Sequence, residues 1–182
     1  MQGLIFNALE EFVIKNADLS TWNTILSETD LPSGGIYTAG GRYDDSEMMA
    51  LAQAVCEKLG VDQATGLEVF GKFLFGFLQT RMASVLEGRK DLFDTLENLD
   101  NTVHVNVKRL HPDAYLPFFQ FEYLDTNTGY LDYRSNRKLC SLASGLIQGC
   151  ADHFNSPIHL EHVECMHDGA ARCRWHIKRL GD

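Results

Sequence analysis

The sequence lacks any apolar run close to the roughly 18 residues that cross a bilayer, and its start lacks the basic-then-apolar order of a signal peptide. It is also poor in basic residues, with 16 Lys and Arg against 25 Asp and Glu and a formal net charge of −9. Nucleic acids and anionic membranes bind clustered Lys and Arg, so neither is an expected partner. We expect a soluble, cytoplasmic protein.

The sequence has only four prolines and shows no Pro/Ser-rich linker, internal repeat or low-complexity run. Hydrophobic residues make up 45% of the chain, which excludes the low-hydrophobicity regime of disordered proteins. At roughly 100–200 residues per domain, residues 1–182 are expected to form one domain.

The N-terminal half has helical periodicity. Apolar residues at positions 4, 5, 8, 9, 12 and 13 share one face of a helix. Asp45 is expected to cap a further helix that ends at Gly60, and Asp62 opens another. The helix that Asp62 opens is apolar nearly all round from Phe70 to Leu78, which is typical of a buried helix or a pocket wall.

The C-terminal half has a different pattern. Residues 119–123 alternate, 125–129 form a turn cluster and 130–135 return as the second strand of a hairpin. A helix over 139–150 and two strands near 158–163 and 171–177 complete the prediction. The expected fold class is α+β, with a helical N-terminal half and a C-terminal half containing a small antiparallel sheet.

Three polar residues with complementary chemistry lie at alternate positions of an extended segment, namely Tyr133, Ser135 and Arg137. Alternate strand residues share a face, so a phenol, a hydroxyl and a guanidinium would point the same way. Such a set suits carboxylate binding, although a solvent-facing strand edge has the same appearance.

His104 is a lone histidine among apolar neighbours. Most such histidines are hydrogen-bonded structural residues. A neutral imidazole in an apolar setting is also what a haem iron uses as its proximal ligand.

Together these residues resemble the H-NOX family, the haem nitric oxide/oxygen sensors related to the haem domain of soluble guanylate cyclase. The opening Met1 to Phe6 resembles the start of that family, and its Tyr-x-Ser-x-Arg signature is intact at 133–137. His104 stands 8 residues before Pro112 and 13 before Pro117, as the proximal histidine does there. The match runs essentially end to end.

The resemblance implies haem b, the iron protoporphyrin IX, buried between the two halves. His104 would be the axial iron ligand, and Tyr133, Ser135 and Arg137 would hold the propionates. Pro117 would press on the porphyrin and bend it out of plane.

The resemblance also suggests which gas is bound. Oxygen-binding members carry a distal tyrosine that corresponds to Leu142 here. The other positions carried over to the distal wall are Ile5, Leu9, Leu74, Leu78 and Leu146. All are apolar, which by itself is typical of an ordinary core. With haem present, the missing donor predicts binding of nitric oxide and CO and discrimination against O2.

The implied function is gas sensing without enzymatic activity. NO binding at ferrous haem would release the Fe–His104 bond and drive a conformational signal to a separate partner protein. A histidine kinase or a diguanylate cyclase/phosphodiesterase is the type of partner that stand-alone bacterial members use.

A second set of residues has the composition of a metal site: Cys140, His162, Cys165 and Cys173. Three thiolates and one imidazole complete a tetrahedral Zn²⁺ site, with His159 or His167 as substitutes for His162. Free or buried thiols are the alternative. The cluster supports a second hypothesis, a zinc/thiol redox sensor, better than an enzyme using Cys140 and His162.

The other candidates have simple interpretations. Cys56 and Cys150 fall on apolar helix faces and are expected to be buried thiols. Asp44, Asp45 and Glu47 are interpreted as a capping and solvated cluster rather than a catalytic carboxylate pair.

Overall fold

Helices form most of the N-terminal half of the computed structural model, which describes residues 1–81, 86–110, 112 and 114–181. The helices are α1 (Gly3–Asn16), α2 (Leu19–Glu28), α3 (Asp45–Leu59) and α4 (Gln63–Arg81). Their apolar faces meet in one core, which contains Phe6, Leu9, Trp22, Leu51 and Phe70. The helical prediction for this half is confirmed.

The start of α3 differs by one residue from the prediction. Asp44, not Asp45, is the N-cap, and its carboxylate accepts the Ser46 N–H at 2.8 Å. The helix ends at Gly60, whose φ of 69° lies in the left-handed region that glycine adopts without steric cost. Asp45 is therefore free to contact another part of the chain.

A helical segment that the periodicity did not reveal connects the two halves. It comprises α5 (Leu92–Glu97), a π-helix (Leu99–Val103) and α6 (His104–Leu110). A π-helical turn widens the repeat and breaks the 3.6-residue period, so apolar spacing gives no continuous signal here. His104 lies at the junction between the π-helix and α6.

The C-terminal half contains four strands and one long helix. They are β1 (Phe118–Tyr123), β2 (Thr128–Arg134), α7 (Cys140–His153), β3 (Ile158–Glu164) and β4 (Cys173–Arg179), with a short 3₁₀-helix over Met166–Asp168. The sheet order is β1-β2-β4-β3, and each described pairing is antiparallel. This arrangement confirms the α+β fold class.

The two halves meet where α4 crosses α7. A Cβ placed on Gly145 would lie 1.9 Å from the Glu68 carbonyl oxygen, and one on Gly71 would lie 2.3 Å from that of Leu142. Only glycine permits this approach of the two backbones. The crossing places the apolar side of α7 beside the helical half. Within the described ranges, no helix is both long and apolar enough to cross a membrane.

Candidate functional site

A cavity of about 330 Å³ lies between the N-terminal and C-terminal cores. Residues of α1, α4, α6, β1, β2 and α7 line it, and most are apolar. Among the predicted site residues, the lining includes Ile5, Leu74, Leu78, His104, Pro117, Tyr133, Ser135, Arg137, Leu142 and Leu146. The fold therefore brings the predicted iron ligand, the predicted propionate-binding residues and most of the predicted distal positions to one cavity.

The His104 ring is held by a carboxylate one helical turn away. Its Nδ1 lies 2.6 Å from Asp100 Oδ1, and Asp100 Oδ2 accepts the Phe119 N–H at 3.0 Å. Because a carboxylate only accepts, Nδ1 carries the proton and Nε2 keeps its lone pair. Burial lowers the pKa of His104 despite the opposing effect of Asp100, so the imidazole is neutral at neutral pH.

Sequence reasoning did not identify Asp100. A usable signal was present, because a carboxylate four residues before a histidine lies on the same helix face. Such a partner fixes the ring orientation and tautomer of a metal-binding histidine.

Tyr133, Ser135 and Arg137, here called the clamp, line the same cavity, but not as one extended strand. β2 ends at Arg134, and a turn closed by the Lys138 N–H to Ser135 O bond of 3.1 Å follows. The turn, rather than strand alternation, brings Arg137 to the cavity. The Tyr133 hydroxyl oxygen accepts the Leu139 N–H at 3.1 Å, which leaves its own proton for donation.

Asp45 holds the Arg137 guanidinium. Arg137 Nε donates to one Asp45 oxygen at 2.6 Å, and its terminal nitrogen donates to the other at 2.9 Å. Arg137 also donates to the Tyr115 carbonyl at 2.9 Å and stacks on the Tyr115 ring. The interpretation of Asp45 as a capping, solvated residue was wrong. No local pattern reveals this pair, since its members lie 92 positions apart.

Glu47 is not a solvated residue either. Its side chain is buried and accepts hydrogen bonds from the Ser33 hydroxyl and, at 3.0 Å, from the Tyr37 hydroxyl. Burial, followed by the negative charge of Glu47, raises the pKa of Tyr37 to about 12 despite an opposing hydrogen bond to Ser33. These bonds attach the loop between α2 and α3 to the start of α3.

Five of the six distal positions line the cavity, and Leu9 does not. Leu9 lies in the N-terminal core and lines a separate cavity of about 150 Å³ between α1, α3 and α4. It lies one turn beyond Ile5, where α1 faces the other helices. The structure adds Gln79 to the main cavity, an amide at the end of its α4 wall.

The residues of the cavity fit a haem. An iron porphyrin is a broad apolar disc with two carboxylates on one edge, and this cavity is apolar with hydroxyl and guanidinium donors. One neutral imidazole, oriented by Asp100, offers a ring nitrogen for an axial metal bond.

A second cluster lies behind the clamp, where Cys173 is the strand partner of Tyr133. The ligand atoms of Cys140, His162, Cys165 and Cys173 all lie within 4.8 Å of one another. The Cys140 and Cys165 sulfurs are 3.9 Å apart. His167 lies outside this group and contacts the Lys138 carbonyl at 2.8 Å.

The cluster thiols are free, and burial disfavours the thiolate form of two of them. All five cysteines of the chain are free. Burial raises the pKa of Cys140, and it raises the pKa of Cys173 to about 12, so both would need a cation to become thiolates.

The fold and the cavity define a domain suited to binding haem. The sequence profile of the haem-NO-binding family matches residues 2–162, and the chain belongs to this family, the H-NOX domains. These are haem-based gas sensors rather than catalytic domains.

Solved H-NOX structures match the whole chain. The Shewanella oneidensis protein in its Fe(II)NO state is 32% identical, with a TM-score of 0.94 and complete coverage of both chains. The unliganded Fe(II) protein from K. algicida is 29% identical, with a TM-score of 0.88, covering 100% of this chain and 98% of that one. The Shewanella woodyi protein in its Fe(II)CO state is 33% identical, with a TM-score of 0.85 and coverage of 99% and 95%.

Proposed function

We propose that this protein binds haem b and senses nitric oxide, with His104 as the axial ligand of the ferrous iron. The observation that carries the proposal is the His104–Asp100 contact of 2.6 Å at the wall of an apolar cavity. It leaves Nε2 as the unprotonated ring nitrogen. Membership of the H-NOX family and the likeness to NO-bound and CO-bound relatives support it.

The clamp is proposed to hold the haem propionates. Tyr133 and Ser135 each keep a hydroxyl proton to donate, and Arg137 keeps N–H groups beyond those bound by Asp45 and Tyr115. Pro117 lines the cavity and is proposed to press against the porphyrin face. Its rigid ring suits a role in holding a bent cofactor.

The distal wall is proposed to favour NO and CO over O2. The aliphatic side chains of Ile5, Leu74, Leu78, Leu142 and Leu146 offer no hydrogen bond donor. Retained O2 needs a donor, whereas the less polarised NO does not. Gln79→Leu tests whether the Gln79 amide, which lines the cavity from α4, acts as a donor.

When bound, the haem would supply an iron that takes NO, and His104 would hold that iron less firmly once NO is bound. The rest of the signal belongs to the chain. His104 begins α6, and its ring is held by Asp100. Asp100 also accepts the backbone N–H of Phe119, the second residue of β1. Movement of the imidazole therefore shifts α6 relative to the sheet. We propose that a separate partner, such as a histidine kinase or a diguanylate cyclase/phosphodiesterase, responds to this shift.

The test is the absorption spectrum of the anaerobically reduced protein alone, with NO and after exposure to air. A five-coordinate ferrous spectrum that changes to a five-coordinate nitrosyl spectrum, with no stable O2 adduct, is expected. His104→Gly should lose the ferrous spectrum of the wild type and regain it with added imidazole. Absence of haem after reconstitution, or stable O2 retention, would contradict the proposal.

We also infer that the Cys/His cluster holds Zn²⁺. A tetrahedral ion with Zn–S bonds of about 2.3 Å places its ligands about 3.8 Å apart. The observed separations, up to 4.8 Å, require only a modest contraction. His162 is also supported from one side, because its ring stacks on Trp175 with centroids 4.7 Å apart.

Metal analysis of purified protein tests the zinc site, with one Zn²⁺ per chain expected. Cys173→Ser should lose the metal, whereas Cys56→Ser, which alters a thiol outside the cluster, should keep it. Equal zinc in both variants would contradict the site. The alternative function, a zinc/thiol redox sensor, predicts that Cys173→Ser abolishes regulation of a partner while His104→Ala does not.

A further inference from the structure

The clamp by itself does not balance the charge of a bound haem. Asp45 is shared by two cations, the Arg137 guanidinium through hydrogen bonds of 2.6 and 2.9 Å and the Met1 ammonium at 2.8 Å, so the three groups together carry one positive charge. A haem brings two carboxylates to the same end of the cavity. A second cation at that end would reduce the cost of placing them beside an apolar wall.

Arg42 lines the cavity together with Gln2. The two residues face each other as an antiparallel bridge, so their side chains lie on the same side of the paired backbones. Within the described ranges Arg42 makes no ion pair, in contrast to Arg137. The Gln2 side-chain oxygen is buried without a hydrogen bond partner.

The position of Arg42 relative to the clamp is fixed by backbone contacts. The Gly3 N–H donates to Gly41 O at 2.8 Å, and the Tyr43 N–H donates to Met1 O at 2.9 Å. The Met1 nitrogen lies 2.8 Å from Asp45, the residue that holds Arg137. These contacts connect the Arg42 segment to the clamp through adjoining residues.

The loop that carries Arg42 is also held by packing. The Tyr37 ring stacks on Phe6 with centroids 4.1 Å apart, and Tyr43 packs edge-on against Tyr37. A Cβ on Gly3 would lie 1.9 Å from the Thr38 carbonyl oxygen, so the loop lies directly against the start of α1. Arg42 is therefore presented from an ordered backbone.

The geometry points to Arg42 as a second arginine that binds a propionate, contacting the haem carboxylate that Arg137 does not hold. This inference rests on the proposed haem function and adds a contact outside the Tyr-x-Ser-x-Arg signature. The guanidinium donates to the carboxylate oxygens, and the Gln2 amide, on the same side of the bridge, lies beside it.

The test measures the rate of haem transfer from the ferric protein to excess apomyoglobin for wild type, Arg42→Met and Arg134→Met. Arg134 is the matched control because it is exposed and adjoins the clamp but does not line the cavity. Each protein is loaded with haem b and with the two haem isomers that lack one propionate. Thermal melting of the apoproteins checks their folding.

We expect Arg42→Met to lose haem b about fivefold faster than wild type, the effect of a partly exposed ion pair of about 1 kcal/mol. For the isomer that lacks the carboxylate contacted by Arg42, the ratio of the Arg42→Met loss rate to the wild-type loss rate should return to about one. Arg134→Met should lose each porphyrin at the wild-type rate. The inference would be overturned if Arg42→Met lost haem b at the wild-type rate. It would also be overturned if the ratio of variant to wild-type loss rates were the same for all three porphyrins.

The outcomes separate this inference from the proposed function. Wild-type protein that takes up haem, combined with an unchanged Arg42→Met, overturns only the role of Arg42. Wild-type protein that takes up no haem overturns both the role of Arg42 and the proposed function.

If Arg42→Met does not fold, Arg42→Lys is the substitute variant, because it keeps the charge but loses the planar guanidinium. We expect an intermediate rate of haem loss with the same dependence on the porphyrin. A rate equal to wild type would then count against the contact.

Discussion

Asp45 and Arg137 form a two-bonded ion pair between the two halves of the molecule, with N···O distances of 2.6 and 2.9 Å. Asp45 lies in the first turn of α3, and Arg137 lies in the turn that precedes α7. The pair fixes the guanidinium at the edge of the cavity. It also connects the helical half to the sheet half at the end where the carboxylates of a haem would lie.

We predict that Asp45→Asn lowers the free energy of unfolding of the apoprotein by about 1 kcal/mol at pH 7, because solvent partly screens this pair. Burial raises the pKa of Asp45, but Arg137 and the Met1 ammonium together outweigh it and hold the pKa below its ordinary 3.8. The contribution is therefore present above about pH 3.8 and is lost as the pH falls through the folded-state pKa. Urea denaturation at a series of pH values measures this difference.

Arg137→Gln and the double variant provide the control for this prediction. If the two residues act as a pair, the double variant should cost less than the sum of the single variants. A difference between wild type and Asp45→Asn that persists unchanged well below pH 3.8 would contradict the role of the ion pair.

Asp100→Asn should weaken haem binding about 10- to 100-fold, the typical effect of removing a carboxylate that orients a metal-binding histidine. An amide has one accepting oxygen, so it cannot serve both His104 and the Phe119 N–H as Asp100 does. Haem titration of the apoprotein measures the affinity. Asp125→Asn, in the exposed β1–β2 turn, is the control and should bind haem as wild type does.

Leu142→Tyr should convert the distal wall into one that retains O2. The side chain at position 142 lines the cavity on α7, where a phenol would supply the donor that the aliphatic wall lacks. The spectrum of the reduced protein in air provides the measurement. Leu142→Phe adds the ring without the hydroxyl and should behave as wild type; O2 retention by this variant would show that shape, not donation, is responsible.

Gly145→Ala should destabilise the apoprotein by more than about 2 kcal/mol, because its Cβ would lie 1.9 Å from the Glu68 carbonyl oxygen. Gly76→Ala is the matched control on α4, where no heavy atom lies within 4 Å of the added Cβ. This variant should be stabilised by about 0.5–1 kcal/mol, since glycine is unfavourable inside a helix. Equal effects in thermal denaturation would show that the α4–α7 contact does not set stability.

His104 and the clamp residues could be picked out as candidates from the sequence because each carries a local signal. The clamp residues fall within five positions of one another, and His104 stands out among apolar neighbours. Helices α1, α3, α4 and α7 follow from their periodicity. The segment over residues 92–110 could not be found in this way, since its π-helix interrupts the helical repeat.

Distal and supporting residues were harder to assign. Leu9 and Ile5 have the same character and lie one turn apart, yet only Ile5 lines the main cavity. Periodicity identifies a buried face but does not say which neighbour covers each part of it. The same limit applies to Glu47, whose burial depends on Ser33 and Tyr37 of the preceding loop.

The sequence by itself determined the α+β class through its periodicity, and its short motifs carried the resemblance that indicated the family and the candidate site residues. Only the tertiary structure decided that Asp45 binds Arg137, that Arg42 lines the cavity and that the four cluster residues lie together. Each of these depends on how α3, the loop before it and the strands pack on distant parts of the chain. Contacts between residues far apart in sequence leave no periodic or local trace, since they follow from the three-dimensional arrangement of whole elements.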